Sequence, residues 1–232
     1  MATKQPSTAT IRRDAPENSV AAIRRLTEQG YDSTTAEDLA DAVGMSRSTF
    51  FRRFGSKDDV VFADHDHALA QLEHFLESTS LPPSDAVVEG TADVLRLLVR
   101  DPEAARLRFE LMRLTPALRD RELVITHRYE RVFANYLRTS LPAESAAWVS
   151  AAIAASLVAV HNTTLRQWLR DPHPDIVPQL CRELRQLVSA FAPWFFAPGP
   201  SEGTNRVMVA VYDTAASPEG VLSSVAAVLD AQ

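Results

Sequence analysis

Between Gly44 and Lys57 the chain reads GMSRSTFFRRFGSK, with four cations, Arg47, Arg52, Arg53 and Lys57, and no carboxylate from residue 47 to residue 57. That is the side-chain chemistry of polyanion binding. A guanidinium at Arg47 can donate two parallel hydrogen bonds to guanine, and the hydroxyls of Ser48 and Thr49 can reach base edges or phosphates. Arg52, Arg53 and Lys57 are placed to neutralise phosphates, Lys57 at a helix start whose free N–H groups also favour an anion. A merely solvated basic face would need neither the caps nor the glycine turn that surround these residues.

Those side chains are positioned by short helices. A helix over about 17–29 ends at Gly30. A second opens at a capping box, Thr34-Thr35-Ala36-Glu37, and places Ala36, Leu39, Ala40 and Val43 on one face. Gly44 closes it, and Ser46 caps a third helix through Phe54, where Phe50 and Phe54 anchor the inner side. Two helices joined by a tight turn predict a helix-turn-helix whose second helix lies in the major groove.

Further on, a helix over 58–78 is followed by the break SLPPSD. Helices over about 84–100, 103–114, 117–140, 143–170 and 175–196 come next, punctuated by Asp-Pro and Leu-Pro pairs. The fold expected is all-α with about nine helices. The expected domains are residues 1–60 with the helix-turn-helix, a helical domain over 61–196, and a linker with a strand-helix extension over 197–232. In that extension RVMVAVYD, 206–213, reads as a strand and 218–229 as an amphipathic helix.

Composition narrows the function classes. The net charge of −6 lies wholly beyond residue 60, because residues 1–60 hold equal numbers of basic and acidic groups. A general nucleic-acid coat is excluded, whereas a local patch is not. One cysteine, Cys181, precludes an intrachain disulfide. The apolar run 146–160 looks short for a membrane span. A soluble cytoplasmic protein is expected.

The segment GYDSTTAEDLADAVGMSRSTFFRRFGSKDDVV, residues 30–61, closely resembles the DNA-binding region of tetracycline-repressor-type (TetR/AcrR) transcriptional regulators. Shared elements are Gly30-Tyr31, Thr34-Thr35, Leu39-Ala40, Val43-Gly44, Ser46, Thr49-Phe50, Phe54 and Lys57. The resemblance implies a homodimeric, ligand-released repressor acting on a palindromic operator. It places Thr35, Arg47, Ser48, Thr49, Phe51, Arg53 and Lys57 where the family contacts DNA; Arg52 joins them by its charge. Position 51 departs from the tyrosine common in the family.

Other residues invite chemistry. Asp64 and His67 can share a helix face with His74 beyond, so a metal-responsive regulator is one alternative and an all-α enzyme another. No phosphate loop, zinc spacing or nucleophile elbow supports the enzyme, and no cofactor is expected. An effector pocket is expected among helices 84–170, with Phe109, Met112, His127, Asn162 and Trp168 as candidate lining. A dimer face is expected on the helices 143–170 and 175–196, with Trp148, Ala152, Leu187, Phe191 and Phe195.

Overall fold

A computed structural model describes residues 15–196, which form eleven helices. They are α1 (Ala15–Gln29), α2 (Ala36–Ala42), α3 (Arg47–Phe54), α4 (Lys57–Val61), α5 (Ala63–Ser78) and α6 (Pro83–Leu98). Then follow α7 (Pro102–Leu114), α8 (Pro116–Ser140), α9 (Ala147–Arg170), α10 (Ile176–Ala190) and α11 (Ala192–Phe195). The strand and helix expected at 206–213 and 218–229 lie outside the described residues. Residues up to Ala197 fall in one unit and Pro198–Gln232 in another.

The N-terminal helices are small and depend on their caps. The capping box of α2 sits one residue later than the spacing suggests. Thr35 accepts from the Asp38 amide at 3.2 Å and Asp38 accepts from the Thr35 amide at 2.8 Å, while the Thr34 hydroxyl turns back to the Gly30 carbonyl. Ser46 caps α3 and Ser56 caps α4, accepting from the amides of Thr49 and Asp59. Gly44, at φ +66°, makes the left-handed turn between α2 and α3, a conformation that costs any residue with a Cβ. Ile23, Leu26, Leu39 and Phe50 are fully buried where α1, α2 and α3 meet.

The long helix expected over 58–78 is two helices, broken at Phe62. There the His65 amide bonds to the Phe62 carbonyl instead of that of Val61. The released Val61 carbonyl accepts from Arg108 Nε at 2.8 Å. A second break separates α10 from α11, because Pro193 has no N–H to continue the ladder. These two breaks account for eleven helices where nine were expected.

The C-terminal helices wrap α9, which packs against α8, α10 and α6. Contrary to the expectation from residues 146–160 alone, α9 is long and apolar enough by composition to cross a membrane, since the run continues through uncharged residues to Leu165. Its inner face, Val149, Ile153, Leu157 and Trp168, is buried in the protein's own core. Cys181 is likewise a buried free thiol.

Candidate functional site: a basic helix and a buried cavity

The first site is α3. Phe50 is fully buried and stacks on Phe54 at 5.1 Å between ring centroids. This fixes the helix by its inner side and leaves Arg47, Ser48 and Arg52 exposed, with Thr49 and Arg53 half-buried. The Ser46 hydroxyl donates to Thr49 Oγ1 at 3.0 Å, so the Thr49 proton is free to point away from the helix. Phe51 lies on the outer side, and the Arg47 guanidinium stands over its ring at 5.7 Å. The ring supports that cation by its quadrupole, a role that needs no hydroxyl. Arg53 stands in the same way over Phe54 at 5.5 Å.

Lys57 is placed differently from a simple phosphate contact. Its Nζ donates to the carbonyls of Tyr31 (2.8 Å) and Thr34 (3.3 Å) and lies 4.0 Å from the centre of the Tyr31 ring. The Tyr31 hydroxyl in turn donates to Asp58. Burial, then the hydrogen bond to Asp58, pushes the Tyr31 phenol far above its ordinary range. The loop after α1 is thereby pinned to the start of α4. Thr35 is exposed beside it, its hydroxyl engaged in the cap.

The second site is a cavity of about 70 Å³ between α5, α6, α7, α8 and α9. Met112 and Asn162 line it; Phe109, His127 and Trp168 do not. His127 is exposed and pairs with Glu130, because it lies on the outward face of α8. Trp168 is buried, with its indole N–H donated to the His173 carbonyl at 3.0 Å. Phe109 is half-buried outside the lining.

Most of the cavity's polar wall was missed from the sequence: His65, Arg108, Tyr129 and His161. Arg108 offered a usable signal, since Ala104, Arg108 and Leu111 share one helical face at i, i+4, i+7 and all are buried. Its guanidinium bonds to Val61 as described and to the Asp64 carboxylate. Asp64 also accepts from the Ser19 hydroxyl of α1 at 2.9 Å. This is where the metal reading fails: Asp64 is turned into the core and spent on Arg108 and Ser19. Among the described residues no group of three or more His, Cys, Asp and Glu could hold a metal ion.

The imidazoles are held neutral. Burial, then the neighbouring Arg108 charge, pushes His65 well below the ordinary imidazole value. His161 is pushed down by burial, partly opposed by its bond to Asn162. The Tyr129 hydroxyl lies 3.3 Å from His65 Nδ1, and burial raises its phenol above its ordinary range.

Of the candidate dimer residues, Trp148 is exposed and Ala152, Leu187 and Phe195 are half-buried. Phe191 is buried in the protein's own core, against Trp194, so it is not available to a partner. Trp148 meets Trp194 edge-on at 6.1 Å.

Comparison with known proteins matches two stretches of the chain in order. The family model described as bacterial regulatory proteins, tetR family, matches residues 20–63, and one described as the MftR C-terminal domain matches residues 81–192. A curated relative from Mycobacterium tuberculosis (strain ATCC 25618 / H37Rv), described as a candidate mycofactocin biosynthesis transcriptional regulator, MftR, is 24% identical over 158 residues. That match spans 66% of this chain and 78% of the relative. Similar folds include a candidate transcriptional regulator from Pseudomonas aeruginosa PAO1, at TM-score 0.56 and 15% identity, covering 77% of this chain and 90% of that one. FadR from Bacillus subtilis, solved in complex with stearoyl-CoA, has TM-score 0.54 and 16% identity, covering 75% and 98%. With a helix-turn-helix that presents a basic helix and with both family models matching in order, the chain belongs to the tetR family of bacterial transcriptional regulators.

Proposed function

We propose that this regulator is a cytoplasmic, homodimeric repressor that binds a palindromic operator through α3 and is released when a small, largely apolar effector enters the cavity. The observation that carries the reading is the position of Arg108. It forms part of the cavity wall and also holds the break between α4 and α5, and Asp64. Through Asp64 it is linked to Ser19 on α1. An effector that displaces the Arg108 guanidinium would therefore loosen the helix that supports α2 and α3. Such coupling must be reciprocal, so operator DNA should weaken the effector by the same factor.

The dimer reading is supported by α9. Trp148, Ala151, Ala155 and Ala159 are exposed along one side of that helix at i, i+3, i+7, i+11. Small residues allow a second helix to approach closely. Two copies of α3 would then read half-sites roughly 34–36 Å apart.

Selection from random duplex DNA tests the reading. The expected product is a palindrome or pseudo-palindrome with half-sites one helical turn apart, bound by two chains. Arg47→Ala should cost about 1–3 kcal/mol and relax preference at one position in each half-site. Recovery of no preferred sequence would end the operator reading.

A further inference from the structure

The cavity holds one polar atom that the protein leaves unanswered. His161 is 7% exposed, lines the cavity, and its Nε2 has no hydrogen-bond partner. Its other ring nitrogen faces Asn162 Oδ1 at 3.1 Å. Because a carbonyl oxygen only accepts, Nδ1 carries the ring proton, and Nε2 is left as a bare lone pair. A buried acceptor without a donor is costly, and a group supplied by a ligand would relieve that cost.

The rest of the wall narrows what the ligand can be. Thr91 donates its hydroxyl to the Val87 carbonyl at 2.6 Å, and Tyr129 is occupied with His65. Arg108 is matched by Asp64, and Glu122 by Arg166 at 3.3 Å. The charges around the cavity thus cancel in pairs, and an ion entering it would bring an uncompensated charge into a buried site. Apart from Thr126 and the Asn162 amide, what remains of the wall is apolar, and His161 Nε2 is its one buried polar side-chain atom without a partner among the described residues.

We propose that the cavity takes a neutral, largely apolar compound bearing a hydroxyl, and that His161 Nε2 accepts the hydrogen bond from that hydroxyl. This deepens the effector reading above and rests on it for its biological sense, although its test is independent of DNA. The free volume, about 70 Å³, is smaller than the roughly 150 Å³ of an engineered cavity that holds benzene. A single ring therefore needs some yielding of the wall. Met112, a flexible half-buried thioether side chain in the lining, is suited to supply it.

The test uses the full chain with phenol and toluene, which match in shape and differ in the hydroxyl. Titration calorimetry and the shift in melting temperature should show phenol binding about tenfold tighter than toluene, the size of one neutral hydrogen bond to a buried acceptor. His161→Phe should abolish that preference, and His161→Gln, which keeps an acceptor oxygen, should retain part of it. Nitrogen-15 spectra of histidine-labelled wild type should show His161 as the Nδ1–H form. Its Nε2 resonance should move when phenol is added and stay when toluene is added, a readout that holds even if the phenylalanine variant does not fold. Equal affinities, a preference that survives His161→Phe, an Nε2–H tautomer, or no binding of either probe at millimolar concentration would each overturn the proposal. Phenol that binds as described yet leaves operator affinity unchanged would instead count against release by the cavity, and leave the His161 assignment standing.

Discussion

Arg108 on α7 donates to the carboxylate of Asp64 on α5, 44 residues earlier, and both side chains are almost wholly buried. The same guanidinium holds the Val61 carbonyl that the break at Phe62 sets free. One side chain therefore ties the cavity wall to the element leading into the DNA-binding helices.

Removal of either partner should be severe, because the other is left as a buried, uncompensated charge. Arg108→Ala is expected to lower stability by about 3–5 kcal/mol, read from chemical denaturation. The double variant Asp64→Leu with Arg108→Met should recover most of that loss. If the ion pair transmits the effector signal, the recovered double variant should also bind operator with little response to effector.

Lys57 and Arg52 should separate a positioning cation from a surface one. Lys57 gives two of its three N–H groups to the Tyr31 and Thr34 carbonyls, whereas Arg52 is exposed. Lys57→Ala should lower the melting temperature by the equivalent of about 1–3 kcal/mol and weaken all DNA sequences alike. Arg52→Ala should leave melting unchanged and flatten the salt dependence of binding by about one phosphate. The two are distinguished by thermal melting alongside anisotropy titrations at several salt concentrations.

Gly90 packs α6 against α5. A Cβ built there would lie 2.8 Å from Leu72 Cδ1 and 3.4 Å from the Phe75 ring. Alanine would gain about 1 kcal/mol of helix propensity. Overpacking a buried contact costs about 1–3 kcal/mol, and Leu72 has little room because it is 3% exposed. Gly90→Ala should therefore be neutral to destabilising by up to about 2 kcal/mol in a melting experiment. A clear gain in stability would show that α5 moves aside freely.

Acid should destabilise the protein through its two buried imidazoles. His65 and His161 both have folded-state values lowered by burial. Above the ordinary imidazole value, near pH 6.5, both are neutral folded and unfolded, and stability does not depend on them. As pH falls below that value the unfolded chain takes up protons that the folded one does not, so stability falls. The limiting slope is about 1.4 kcal/mol per pH unit for one histidine. His161→Phe should make that slope shallower, measured by denaturation between pH 7 and pH 5.

The helix-turn-helix was legible in the sequence because its determinants are local. Ser46, Gly44, Phe50 and Phe54 act on neighbours within one or two helical turns, so spacing alone announces the cap, the turn and the inner face. The cation cluster is equally local, since Arg47, Arg52 and Arg53 belong to one short helix. What tertiary structure decided is every feature that depends on a partner far along the chain. The break at Phe62 cannot be read from residues 58–78, because the group that takes the released carbonyl is Arg108, 47 residues away from Val61. Asp64 looks like a metal ligand beside His67 until the fold turns it toward Arg108 and Ser19. His127 and His161 are both polar residues among apolar neighbours in sequence, yet one faces solvent and the other the cavity. Helical periodicity ranks the faces of one helix, whereas only the packing of α8 and α9 against α5, α6 and α7 decides which face encloses a cavity.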